Sequence, residues 1–250
     1  MAEARDGDGF LGGRLRIVQP QGGYRAGADA VMLAAACPAR PGERVLELGC
    51  GAGVALLCLG ARVGGLDLTG LELQPAHAGL ARANAARNGI AARVVEGDLR
   101  RMPAALRLES FDHVIANPPY FRSGTPAADP QRGLARHEDA PLSQWLDAAL
   151  RRLRPGGVLT LIHRAERLGA ILAGLDGRAG AVTILPIAAR AGREAGRVIV
   201  QARKGAGAPL RLLSPFVMHA GPSHSGDGED LTEAACAVLR QGAALDLRAP

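Results

Sequence analysis

The stretch Val45-Leu46-Glu47-Leu48-Gly49-Cys50-Gly51-Ala52-Gly53 decides how the chain is read. A short apolar strand runs into alternating glycines, and an apolar helical segment follows. Glycine lets the backbone turn tightly and come close to a ligand, while the helix N-terminus offers unpaired N–H groups. Outward from here, apolar strands alternate with helical segments. Upstream, Asp29 to Ala36 favours helix and is stopped by Pro38 and Pro41-Gly42. Downstream of Val45–Leu48, strands are predicted at Leu68–Leu73, Val94–Glu96, His113–Ala116, Val158–His163, Ala181–Leu185 and Val198–Ala202. Ala-rich helical segments lie between the early ones. Pro75 to Arg87 is the clearest, with Pro75 in its first turn and Asn88-Gly89 as its stop. This alternation implies an α/β fold, a parallel sheet with helices on both faces. The polar segment Ala188 to Gly196 is too short for a crossover, so the last two strands should form an antiparallel hairpin.

Residues 205–230 are rich in Gly, Pro, Ser and His and should be loop and extended chain. Leu231 to Arg240 should close the chain as a helix. Residues 1–13 are polar and Gly-rich and are expected to be mobile, leaving 14–250 as a single domain. A length of 250 residues gives room for one sizeable α/β unit. Hydrophobic residues make up 48% and charged residues 22%, which fits a packed globular protein. Aromatics are only 3%, so the core must be built from Ala, Val, Leu and Ile. No apolar run is long enough to cross a bilayer and the first residues lack a secretory core, so a cytoplasmic protein with no membrane partner is expected. The net charge of +6 is carried almost wholly by arginine, Lys204 being the only lysine. That excess suits a polyanionic partner, or reflects a preference for Arg alone. Cys37, Cys50, Cys58 and Cys236 form no C-x-x-C pair and lie near no histidine at ligand spacing, so neither a metal nor a disulfide is expected.

The glycine spacing is G-x-G-x-G rather than the dinucleotide G-x-G-x-x-G. The preceding Glu47 would repel a pyrophosphate but suits the ammonium of a methionine moiety. Glu72 ends the second strand, where a carboxylate can accept both hydroxyls of a ribose. The third strand ends Glu96-Gly97-Asp98-Leu99, and the fourth runs into Ala116-Asn117-Pro118-Pro119-Tyr120-Phe121. Two prolines fix φ and remove N–H donors, leaving a rigid loop with free carbonyls. The Asn117 side-chain oxygen and the Pro118 carbonyl could accept both N–H bonds of an NH2 group and turn its lone pair toward a methyl donor. No strong base is needed, since the proton can leave after the nitrogen becomes cationic. Tyr120 offers a face for stacking a flat target, a contribution of about 1–3 kcal/mol for a nucleobase.

The Glu47–Gly53 segment resembles motif I of class I methyltransferases, whose fold is also similar to seven strands ending in an antiparallel hairpin. The resemblance implies S-adenosyl-L-methionine as cofactor, bound by Glu47, Gly49, Gly51, Gly53, Glu72, Asp98, Leu99 and Asn117. In the family the Asp98 position accepts from the adenine amino group, and the next residue's main chain helps hold the ring. Asn117-Pro118-Pro119-Tyr120 is similar to the signature of adenine-N6 and glutamine-amide methyltransferases. It implies catalytic roles for Asn117, Pro118 and Tyr120, with Pro119 and Phe121 at the substrate. Three further stretches extend the likeness: Arg14 to Ala30, whose Tyr24–Ala30 part resembles an element closing over the methionine end of the cofactor; Gly124 to Glu138; and Arg197 to Lys204 with Phe216-Val217-Met218-His219 and the final helix. Together they resemble the bacterial tRNA1(Val) (adenine-N6)-methyltransferase family, which implies an RNA partner, a tRNA modified in its anticodon loop. Arg122, Arg132 and Arg136 flank the catalytic loop as candidate phosphate contacts, or form a solvated face paired with Glu138 and Asp139. His137 and His163 read as structural and Trp145 as core. Open alternatives are a protein glutamine N-methyltransferase, an rRNA amino-group methyltransferase, and an RNA-binding protein that kept the fold without activity. A monomer or weak dimer is expected.

Overall fold

The computed structural model describes residues 7–22, 25–120, 140–221, 223 and 230–247. The elements are β1 (Asp8–Phe10), β2 (Leu15–Ile17), α1 (Ala28–Ala36), β3 (Arg44–Leu48), α2 (Val54–Arg62), β4 (Asp67–Glu72), α3 (Pro75–Arg87), β5 (Arg93–Glu96), α4 (Ala104–Arg107) and β6 (Phe111–Ala116). They continue with α5 (Leu142–Arg152), β7 (Leu153–Arg164), α6 (Leu168–Leu175), β8 (Ala179–Ala188), β9 (Ala195–Lys204), β10 (Arg211–Leu212), β11 (Phe216–Val217) and α7 (Glu233–Leu239). The main sheet runs β10-β8-β9-β7-β6-β3-β4-β5, with β11 also beside β8. Strands β7, β6, β3, β4 and β5 are parallel neighbours. β9 lies antiparallel between β7 and β8, so the expected terminal hairpin is present.

The strand count is corrected from seven to nine. The two extra strands, β10 and β11, are two residues each and pair with the outer edge of β8. They are too short to show alternation, and they cover an edge that would otherwise expose unpaired backbone groups. A second correction concerns the start of the chain. The segment expected to be mobile carries β1, which pairs with β2 and buries Phe10 and Leu11.

Side chains alternate across the sheet with period two. Val45, Ile115, Ile162 and Ile199 point to the layer of α1 and α2. Leu46, Val114, Leu161 and Val200 point to the layer of α5 and α6. Seven consecutive residues of α1, Ala30 to Ala36, are buried, because small side chains let the helix settle closely among its neighbours. The chain leaves β3 toward β4 and β5, then returns to build β6 and β7 on the other side. β3 and β6 thus flank the point where strand order reverses, and ligands of open α/β sheets bind at the carboxyl ends there.

Asn84 on α3 and Asn88 at its C-cap fasten the N-terminal hairpin. Asn84 is 1% exposed; it accepts from the Val18 N–H and donates to the carbonyls of Val18 and Ala52, each at 2.9 Å. Asn88 makes the same pair of bonds with the backbone of Arg16. Asn84→Ala would leave buried main-chain groups unpaired. The expected loss is about 1–3 kcal/mol for each group left so, read as a lower denaturation midpoint against the parent.

Candidate active site

The three glycines of the first loop have different tasks. Gly49, at φ +65°, has no room for a side chain, since a Cβ would lie 2.5 Å from the Trp145 ring. Trp145 is buried in the core and donates its indole N–H to the Ala140 carbonyl. Gly53, at φ +87°, is the N-cap of α2 and packs on Ala81. Gly51, at φ +55°, would put a Cβ into open space, with nothing within 4 Å. Of the three, Gly51 is therefore the one that opens on free space.

Glu72 secures this loop from β4. One carboxylate oxygen accepts from the Gly51 N–H at 2.8 Å and the other from the Gln74 N–H at 2.9 Å. Glu47, on β3, is 4% exposed, and its Oε2 has no hydrogen-bond partner. Burial pushes its carboxyl well above the usual glutamate range; the Leu56 N–H in the first turn of α2 opposes the rise and neighbouring Glu72 adds to it. A buried acid with a vacant oxygen, beside a glycine that opens on free space, fits the ammonium end of S-adenosyl-L-methionine. The pH sign follows. The folded chain holds this proton more tightly than the unfolded chain, so ionising Glu47 costs stability as pH rises above about 4.5, its ordinary value. An ammonium partner would favour the ionised form. Cofactor affinity is therefore expected to rise with pH above that value, and Glu47→Gln to remove the rise, as calorimetric titration at several pH values would show.

Beside β4, β5 ends at the third predicted element. Asp98 caps the short 3-10 turn Leu99–Arg101, accepting from the Arg100 N–H at 2.8 Å. The Arg100 guanidinium also reaches it and lowers its carboxyl. Leu99 is half-buried against the α5 layer. Aligned registers, Leu48 with Leu71 and Glu72 with Glu96, bring the three strand ends to one rim.

The fourth element stands next to them at the end of β6. Asn117 is half-buried, Pro118 buried, Pro119 exposed and Tyr120 half-buried. The Tyr120 hydroxyl lies 2.5 Å from Asn117 Oδ1 and 2.9 Å from Asp29 Oδ2. Arg197, from β9, donates to the same Asp29 oxygen at 2.9 Å and lies over the Tyr120 ring, 4.6 Å from its centroid. His163, from β7, meets that ring edge-on at 5.1 Å. Its Nδ1 accepts from the Arg164 N–H at 2.8 Å, which leaves the proton on Nε2. Burial, with Arg167, Arg197 and Arg164 nearby, lowers the imidazole to about 4, so it is neutral at physiological pH.

Read from sequence, His163 and Arg197 carry no role at the site, and Asp29 enters it only as part of the Tyr24–Ala30 stretch. They meet only through tertiary structure, Asp29 and Arg197 being 168 positions apart. Four expected substrate contacts, Phe121, Arg122, Arg132 and Arg136, lie outside the described residues, as does Tyr24. A cavity of about 410 Å³ opens at the other ends of the strands, where Arg154 pairs with Asp112 and His113 with Glu43. It faces away from Asn117. Among the described residues no helix is long and apolar enough to cross a membrane and no group of side chains could hold a metal. All four cysteines are free thiols.

The chain is similar to known proteins in sequence and fold. Residues 45–157 match the family model of a methyltransferase domain. The tRNA1(Val) (adenine(37)-N6)-methyltransferase of Porphyromonas gingivalis is 35% identical over 62% of this chain, and the match spans 64% of that relative's length, less than two thirds. The protein of the same name from Aeromonas hydrophila subsp. hydrophila is 32% identical over 79% of this chain and 84% of its own. Among solved structures, Atu636 from Agrobacterium tumefaciens, described as a predicted O-methyltransferase, is similar with a TM-score of 0.70 and 30% identity, over 87% of this chain and 98% of that one. On the Aeromonas match above all, this chain belongs to the tRNA1(Val) (adenine(37)-N6)-methyltransferase family.

Proposed function

We propose that this protein methylates the N6 amine of an adenine in tRNA, with S-adenosyl-L-methionine as donor. The observation that carries the reading is the Asn117 amide oxygen at the carboxyl end of β6, next to β3 and its buried Glu47 carboxyl at the switch point of the sheet. When bound, the cofactor supplies an electrophilic methyl group. Glu47 would hold its ammonium, Glu72 the ribose hydroxyls, and Asp98 and Leu99 the adenine. Gly49, Gly51 and Gly53 would shape the loop around it. Asn117 and the Pro118 carbonyl would accept the two N–H bonds of the target amine, drawing its lone pair out of conjugation and stabilising positive charge as it develops. Tyr120 would stack the base.

Nothing in this scheme asks for a general base. His163 does not offer one, because its Nδ1 lone pair is occupied and burial, lowering the imidazole to about 4, makes it a weak base. That also weighs against the second reading, hydroxyl methylation, which the description of Atu636 favours and which removes a proton from a poor nucleophile. Purified protein given labelled cofactor with tRNA, rRNA and a glutamine-bearing peptide separates the readings. Label in N6-methyladenosine of tRNA supports the proposal; label in a 2′-O-methyl nucleoside, in rRNA or in the peptide replaces it.

RNA would approach over a basic rim. Arg164 and Arg197 are directly opposite across the β7–β9 pair, Arg164 paired with Glu166 and Arg197 with Asp29. Arg167 lies next to them on the 3-10 turn Ala165–Arg167. Neutralising Arg164 and Arg167 to Gln is expected to weaken tRNA binding and to reduce the slope of log affinity against log salt by about 1 for each phosphate interaction removed. An unchanged slope in filter-binding titrations would remove them from the interface.

A further inference from the structure

The contacts of Tyr120 show more than stacking. Its hydroxyl carries one proton and faces two acceptors, Asn117 Oδ1 at 2.5 Å and Asp29 Oδ2 at 2.9 Å. Arg197 donates to Asp29 and lies over the ring. Asn117 Oδ1 is the atom that the proposed function assigns to the target amine. A hydroxyl hydrogen directed at that oxygen draws on its electron density and repels an incoming N–H, even though an amide oxygen has two lone pairs.

We propose that Asp29 is a positioning residue that takes over the Tyr120 hydroxyl hydrogen bond when the target amine arrives, releasing Asn117 Oδ1 to accept from the amine. No bond to hydrogen is broken: the O–H rotates from one acceptor to the other. The ring need not leave its stacking position. Arg197 holds the Asp29 carboxylate where it can receive the hydroxyl, and its guanidinium steadies the ring from one face. In this role Asp29 acts on the target amine through the Tyr120 hydroxyl.

The inference rests on the reading of Asn117 as amine acceptor, and a double-mutant cycle separates the two. In single-turnover methylation of tRNA, Asp29→Ala should lower the rate at saturating tRNA by about tenfold to hundredfold, the scale of a missing hydrogen bond to a charged group. In the Tyr120→Phe background there is no hydroxyl to hand over, and the same change should cost much less. Asp29→Asn, which keeps an acceptor oxygen, should fall between parent and Asp29→Ala, and it serves in the cycle if the alanine variant does not fold. Cofactor affinity, measured by calorimetry, should match the parent in each Asp29 variant. Equal losses in both backgrounds, or a loss of cofactor affinity on Asp29→Ala, would overturn the role for Asp29. Full activity of Asn117→Ala would overturn the acceptor assignment beneath it.

Discussion

Asn117→Ala is expected to lower single-turnover methyl transfer to tRNA by about 10²–10³, the usual cost of one preorganised transition-state partner. The loss should fall on the rate at saturation rather than on tRNA affinity. Tyr120 still offers its stacking face, and Arg164 and Arg167 lie on other elements. Cofactor affinity should fall far less than the rate, because Asn117 is one of several expected cofactor contacts and Glu47, Gly51 and Glu72 belong to β3, β4 and the loop between β3 and α2. Tyr120→Ala should instead lower both affinity and rate, since stacking acts before and during transfer. A chase of pre-bound complex at saturating tRNA reads the two variants side by side.

The second large effect is at the glycine loop. Gly51→Val is expected to abolish measurable cofactor binding while the protein stays folded. Its Cβ enters open space, so the fold meets no clash. The branched side chain fills the volume a ligand needs, and φ +55° adds strain of about 1–3 kcal/mol. Gly49→Ala should fail in the opposite manner. Its Cβ would meet the Trp145 ring at 2.5 Å, so the fold should lose stability first, with indole fluorescence reporting the displaced ring. Calorimetric binding together with thermal denaturation of both variants tells ligand volume from packing.

Much of this architecture is legible along the chain, for local reasons. Each of the seven predicted strands coincides with an observed one, because β-branched and leucine-rich runs between Gly and Pro punctuation have few alternatives. Pro75 and Asn88-Gly89 mark both ends of α3. The missed elements are those whose stability comes from partners far away. β1 and β2 are three residues each and depend on Asn84 and Asn88, about 70 positions downstream. β10 and β11 depend on the edge of β8. The site divides in the same way. Glu47, Glu72, Asp98 and Asn117 stand at strand ends, where their positions follow from chain order alone. Asp29, His163 and Arg197 are ordinary residues of a helix and two strands until β9 folds back beside β7 and carries Arg197 over Tyr120. His163 reads as structural in the sequence; its edge contact with Tyr120 and its blocked Nδ1 make it part of the wall around the proposed acceptor, though not a base.

The central claim is that an adenine N6 in tRNA receives the methyl group. Mass spectrometry of nucleosides from purified tRNA of a strain lacking this gene, compared with its parent, tests it most directly. The account predicts that N6-methyladenosine disappears from an anticodon-loop fragment in the deletion strain and returns when the parental gene is supplied, but not when the Asn117→Ala form is. An unchanged N6-methyladenosine content, or restoration by Asn117→Ala, would contradict it.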